Sequence, residues 1–197
     1  MAHLEPLSPD ASPELAADFA YFEGILGVVP NSLLTLQRRP AIVQGFSALV
    51  RAVMDPAGEV DLGFKRLVAN VASRAAGCRY CEAHSALAAR VRGVSEPKIE
   101  ALWEYPTSPL FTRAERAALD FALAAGSAPN AVDAELMARL REHWSEGQIV
   151  ELLAVVCLYG FLNRWNDSLA TELEAPAAAL AGRLLERAGW RAGKHLR

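Results

Sequence analysis

The stretch "ASRAAGCRYCEAHSALAARV", Ala72 to Val91, carries two of the chain's three cysteines and one of its four histidines within seven residues. Gly77 divides it. Before the glycine, Leu62 to Ala75 repeats its apolar residues at helical spacing, and Gly77 is the expected stop. After it, a second helix is expected from about Cys78 until before Gly93. Residues on a helix advance ~100° and ~1.5 Å each, which sets Cys78 and Cys81 ~60° apart and one turn from each other, within bridging reach. A sulfur at a helix start also lies near the positive end of the helix dipole, which favours thiolate. His84 follows Cys81 by three residues and is the candidate base for its proton. Ser85 falls nearly under Cys78, two turns along.

Helical periodicity recurs outward from this point, and alternating strand patterns are scarce. Pro13 opens a helix through "PELAADFAYFEGILG", a short helix follows in "NSLLTLQRRP", and Pro40 begins another to about Met54. Ser95 caps a short helix through Trp103. Thr112 with Glu115 and Ser145 with Gln148 form two capping boxes, the second starting a long buried helix to about Leu173. Pro176 permits a last amphipathic helix. The predicted fold is all-α, a single multi-helix domain over 1–197.

Composition narrows the function classes. At 197 residues, 52% apolar and 22% charged, the chain is long enough for a real core. A net charge of −3 supplies no field for nucleic acid, and the basic C-terminal residues (Arg183, Arg187, Arg191, Lys194, Arg197) read as a solvated helix face. The N-terminus lacks a signal-peptide pattern. The longest apolar run, Leu152 to Leu162, is shorter than the ~20 residues a membrane span needs. A cytoplasmic protein with neither nucleic-acid nor membrane partner is expected.

Other readings of the cysteine pair are weaker. A zinc site would need Cys157 or His143 beside Cys78, Cys81 and His84, and three ligands on one helix surround a tetrahedral ion poorly, so no metal is expected. Cys157, in the most apolar run, reads as an inert core thiol. Glu82 reads as a solvated helix residue, Tyr80 as a pocket or interface residue and Trp165 as packing. His3, His143 and His195 have no partner motif.

The segment "LVANVASRAAGCRYCEAHSALA" resembles the core of the alkylhydroperoxidase-D-like branch of the carboxymuconolactone decarboxylase family. "GVVPNSLLTLQRRPAIVQGFSALVRAVM" and "LREHWSEGQIVELLAVVCLYGFLNRWNDSLATELE" resemble the flanking regions of its peroxidase-related members, the latter with Asn163, Arg164 and Asn166 in its Asn-rich end. That places the family core at about 60–105. The resemblance implies an all-α fold assembling as dimers, trimers or hexamers. It also implies thiol-dependent peroxidase or disulfide reductase chemistry at Cys78, Cys81 and His84, with a peroxide or disulfide substrate, an external dithiol reductant and no cofactor. Decarboxylase members lack the cysteine pair.

Two departures stand out. Relatives carry a relay glutamate twelve residues before the first cysteine, where this chain has Arg66, and a histidine four after the second, where it has Ser85. His84 sits one position earlier, ~100° around the helix. A guanidinium is no general base; Arg66 is expected in a structural ion pair or beside a thiolate. The altered relay supports the competing reading, a non-catalytic oligomeric binding protein on the same scaffold.

Overall fold

Asp61 decides where the central helix begins. Its carboxylate accepts the Phe64 N–H at 2.8 Å and opens α4, Leu62–Ala75, in the computed structural model, which describes residues 2–196. Gly77 takes φ +80°, a left-handed turn that a side chain would strain, and Cys78 returns to extended backbone as the N-cap of α5, Arg79–Val91. The two predicted helices of the quoted stretch are thus an antiparallel pair, and theirs is the most extensive helix contact in the fold.

Eight further α-helices complete the described residues: α1 Ala16–Leu26, α2 Asn31–Leu36, α3 Pro40–Val53, α6 Glu96–Glu100, α7 Arg113–Gly126, α8 Ala134–Arg141, α9 Glu146–Leu169 and α10 Ala175–Leu184. No strand occurs among them. α4 lies at the centre, packed by α5, α7 and α9, and it buries Leu67, Val68, Ala69, Val71 and Ala72 completely. Each large apolar side chain so buried contributes ~1.5–3 kcal/mol. α7 approaches α4 so closely that a Cβ on Gly126 would lie 2.8 Å from the Ala72 Cα.

Both capping boxes form, at Thr112–Glu115 and Ser145–Gln148. Several boundaries differ from expectation. Pro13 opens a 3-10 turn, Pro13–Leu15, ahead of α1, and the Ser95 segment finishes as 3-10 over Ala101–Glu104. α8 is a helix beyond those expected from sequence, and the Asp133 carboxylate caps it through the Leu136 N–H at 2.8 Å. α9 stops at Leu169 and not near Leu173, because Ala170 turns left-handed at φ 47° and the Thr171 N–H closes on the Asn166 carbonyl at 3.1 Å. Arg197, counted above in the basic C-terminal face, lies outside the described residues.

α9 is not fully buried. With 24 residues it is the one described helix long and apolar enough, by length and composition, to cross a membrane. One side packs on α3, α4, α5 and α7; the other leaves Val150 (66%), Leu153 and Phe161 exposed. Cys157 lies on that outer side, so it is an exposed thiol and not the core thiol expected from its apolar neighbours. The helical repeat of the exposed residues carries it there, whatever the local hydropathy.

Candidate active site

Cys78 caps α5 with its own sulfur, which accepts the Cys81 N–H at 3.4 Å. Both cysteines are buried as free thiols. Cys81, in the first turn, is 2% exposed and takes a hydrogen bond from the Asn166 side-chain amide at 3.6 Å. Burial pushes the Cys81 thiol well above its ordinary value; Cys78 beside it pushes the same way, and the Asn166 amide opposes. Burial thus favours the neutral thiol over the thiolate at Cys81.

His84 lines the same cavity as Cys81. His84 Nε2 lies 2.6 Å from Glu174 Oε2, while its Nδ1 is buried with no partner. Glu174 is fixed from two further sides: the Tyr80 hydroxyl donates to Oε1 at 2.8 Å, and the Asn31 N–H donates to the same oxygen at 2.5 Å. Burial alone would raise this carboxyl, but the His84 charge and hydrogen bond and the Asn31 N–H outweigh it and hold Glu174 below its usual range. In the neutral imidazole, a carboxylate that accepts from Nε2–H leaves Nδ1 with the free lone pair; in the imidazolium both nitrogens donate, and the pair with Glu174 is an ion pair. Tyr80, whose ring lies 4.4 Å from that of His84, has its phenol pushed far up by burial and by Glu174, so it acts as a neutral donor.

Cys81, His84 and Tyr80 open onto one cavity, with about 70 Å³ of room for the centre of a water molecule. Phe22, Leu33, Phe46, Leu158 and Leu162 form its apolar walls, and Ser32, Arg66, Tyr159 and Asn166 supply the other polar groups. Cys78 does not reach it.

The remaining sequence candidates fall differently. Arg66 makes no ion pair with any described residue; its guanidinium donates to the Tyr159 hydroxyl at 3.1 Å, because the side chains α9 presents there are phenolic and aliphatic. Glu82 is not solvated but fully buried, paired with Arg79 at 2.7 Å on a helix packed by α4 on one side and α10 on another. Burial raises its carboxyl, and Arg79 only partly offsets that. Ser85 is spent on structure: its hydroxyl donates to the Cys81 carbonyl at 2.7 Å and accepts from Asn70 Nδ2 at 3.0 Å. Asn70 also holds the Glu82 carbonyl at 2.7 Å, tying α4 to the cysteine turn. Trp165 stacks on Phe161, and His195 hydrogen-bonds the Thr171 carbonyl at 2.8 Å. Among the described residues no three His, Cys, Asp or Glu side chains converge as a metal site.

Glu174, Asn70 and Tyr159 were missed from sequence, and Asn166 was noted only through the resemblance. Glu174 lies 90 residues from His84, and no spacing rule connects them.

The sequence profile of the carboxymuconolactone decarboxylase family matches residues 40–124. The crystal structure of the debrominase Bmp8 superposes with a TM-score of 0.87 at 33% identity, covering 91% of this chain and 96% of that one. The chain belongs to the carboxymuconolactone decarboxylase family. Bmp8 is also known as a cysteine-to-alanine variant in complex with 2,3,4-tribromopyrrole, with the same 33% identity. A peroxidase-related protein with an alkylhydroperoxidase core from Ralstonia eutropha JMP134 has the same fold, with a TM-score of 0.79 at 23% identity over 89% of this chain and 94% of that one. The uncharacterized protein YnjA of Escherichia coli K12 is 33% identical over 92 residues, 47% of this chain and 50% of that one. The match thus spans about half the length of that curated relative.

Proposed function

We propose that the chain is a dithiol reductase of a small organic acceptor, with an organic hydroperoxide as the first candidate. The observation that carries this is the apolar cavity, which holds the Cys81 sulfur and the His84 ring together while Cys78 lies one helical turn away, outside it. Cys81 is the attacking thiol and Cys78 the resolving one. His84 Nδ1 takes the Cys81 proton, the thiolate attacks the terminal peroxide oxygen, and the O–O bond breaks. The alkoxide leaves with the proton as alcohol, and Cys81 becomes a sulfenic acid. The Cys78 thiol then displaces water and forms the disulfide, which an external small dithiol reduces. Burial of both thiols favours a small molecule over a protein disulfide as acceptor. Recycling needs a reducing compartment, and the cytoplasm is the proposed setting.

The likeness to Bmp8 favours a second acceptor, a carbon–halogen bond on a small aromatic ring. The balance is then ring–Br plus two thiols giving ring–H, one disulfide and HBr. A binding protein without turnover is the remaining alternative.

The test is turnover with dithiothreitol as reductant, offering cumene hydroperoxide, hydrogen peroxide and 2,3,4-tribromopyrrole to wild type, Cys78→Ser and Cys81→Ser. Consumption of the hydroperoxide that both serine variants lose supports the first reading. Bromide release alone moves the assignment to the second. No thiol-dependent consumption of any acceptor rejects both.

A further inference from the structure

Arg66 is a cation without an anion. Its side chain is 7% exposed, and no carboxylate of any described residue lies within 4.0 Å of its guanidinium. One terminal nitrogen is used on Tyr159, and the buried Nε has no acceptor. Taking a guanidinium out of water is costly unless an anion and full hydrogen bonding replace the lost hydration. Elsewhere in the fold the buried charges obey that rule: Lys65 has Glu151 at 2.6 Å and the Val53 carbonyl at 3.0 Å, and Glu82 has Arg79. Arg66 alone of these is left with a phenol, and it lines the cavity that holds Cys81 and His84.

We infer that Arg66 is the anion subsite of this cavity, and that the ligand is a small apolar monoanion. Its body, of about the size of one ring, lies among Phe22, Phe46 and Leu158, and its one negatively charged group meets the guanidinium. A planar fork with open N–H groups suits a carboxylate or an ionised acidic ring. Widened by a water radius on every side, the cavity space takes a six-membered ring with one substituent. Arg66 is the one Arg or Lys among the lining residues, which matches a single negative charge on the ligand. This rests on the proposed thiol reading only for what happens next; binding itself needs neither cysteine.

The test uses the full chain and three probes: benzoate, its neutral isostere benzamide, and acetate, which has the charge without the body. Calorimetry is expected to show benzoate at least ~10-fold tighter than either. Arg66→Met should remove the preference for benzoate over benzamide, and Arg66→Lys should keep part of it. Arg66→Met is also expected to raise Tm without ligand, by removing an unpaired buried charge, whereas benzoate raises Tm only where residue 66 is cationic. Equal binding of benzoate and benzamide by wild type overturns the subsite, as does a benzoate preference that survives Arg66→Met. The outcome is separable from the thiol reading. Thiols that oxidise with peroxide in a chain blind to benzoate's charge sink the subsite alone; inert thiols in a chain that discriminates sink the reductase alone.

Discussion

His84 has its two ring nitrogens in different surroundings, one held by Glu174 and one buried without a partner. That asymmetry makes its chemistry directional. Because burial favours the neutral Cys81 thiol, alkylation by iodoacetamide at neutral pH should depend on the proposed base: His84→Ala is expected to slow it at least ~10-fold, a floor below the ~10²–10⁴-fold that a positioned base typically supplies. Glu174→Gln should give a smaller loss, since the ring survives and only its orientation and charge support go. The rates are read by mass spectrometry at Cys81, and an unchanged rate in both variants removes the relay. Glu174 also links to stability. Folding lowers its carboxyl pKa, so the pair contributes stability that is present above the ordinary value of 4.5 and lost as pH falls through the depressed one. The Tm deficit of Glu174→Gln relative to wild type should therefore be full near neutral pH and shrink in acid below about pH 4. A deficit that grows with acidity contradicts the assignment.

At the scale of elements, the site depends on α4 holding still. α4 ties Asn70 to α5 and Arg66 to Tyr159 of α9, and it meets α7 through Gly126. A methyl group at Gly126 meets Ala72 backbone, which cannot swing away as a side chain would. Gly126→Ala is expected to cost about 1–3 kcal/mol, seen as a lower Tm and a lower urea midpoint. Unaltered stability would mean that α7 slides freely. The helices themselves were legible in sequence wherever the signal was local. Both capping boxes, the Gly77 stop and the cysteine turn rest on residues within four positions of each other. α8 escaped because its eight residues make barely two turns, and the end of α9 escaped because an alanine, not a glycine, takes the left-handed turn. Of the candidate site, the cysteine turn and His84 were readable for the same local reason. The burial of Glu82, the missing counter-ion of Arg66 and the partner of His84 are all tertiary facts.

At the scale of the molecule, the residues after α9 fold back over the start of α5. The Trp190 indole donates to the Arg79 carbonyl at 3.1 Å, the ring of His195 lies 5.9 Å from that of Tyr80, and Glu174 enters the site from the same segment. The outer side of α9 is left bare. Self-association, implied by the family resemblance, is expected to use it, with a second copy covering Val150, Leu153 and Phe161. Light scattering at micromolar concentration should give a multiple of 21.3 kDa, and Phe161→Glu should reduce it toward one chain. A wild-type mass of one chain removes the expectation.

The distance in sequence between His84 and Glu174 is also an interval in time. Ribosomes add roughly 5–20 residues per second, so the 90 residues between them take about 4.5–18 s to make. Over that interval the nascent chain already holds both thiols and the imidazole, but not the carboxylate that pairs with the ring. On the proposed mechanism, the newly made dithiol would meet the cell's oxidants as an unassisted pair and gain its tuned reactivity only when the segment carrying Glu174 docks.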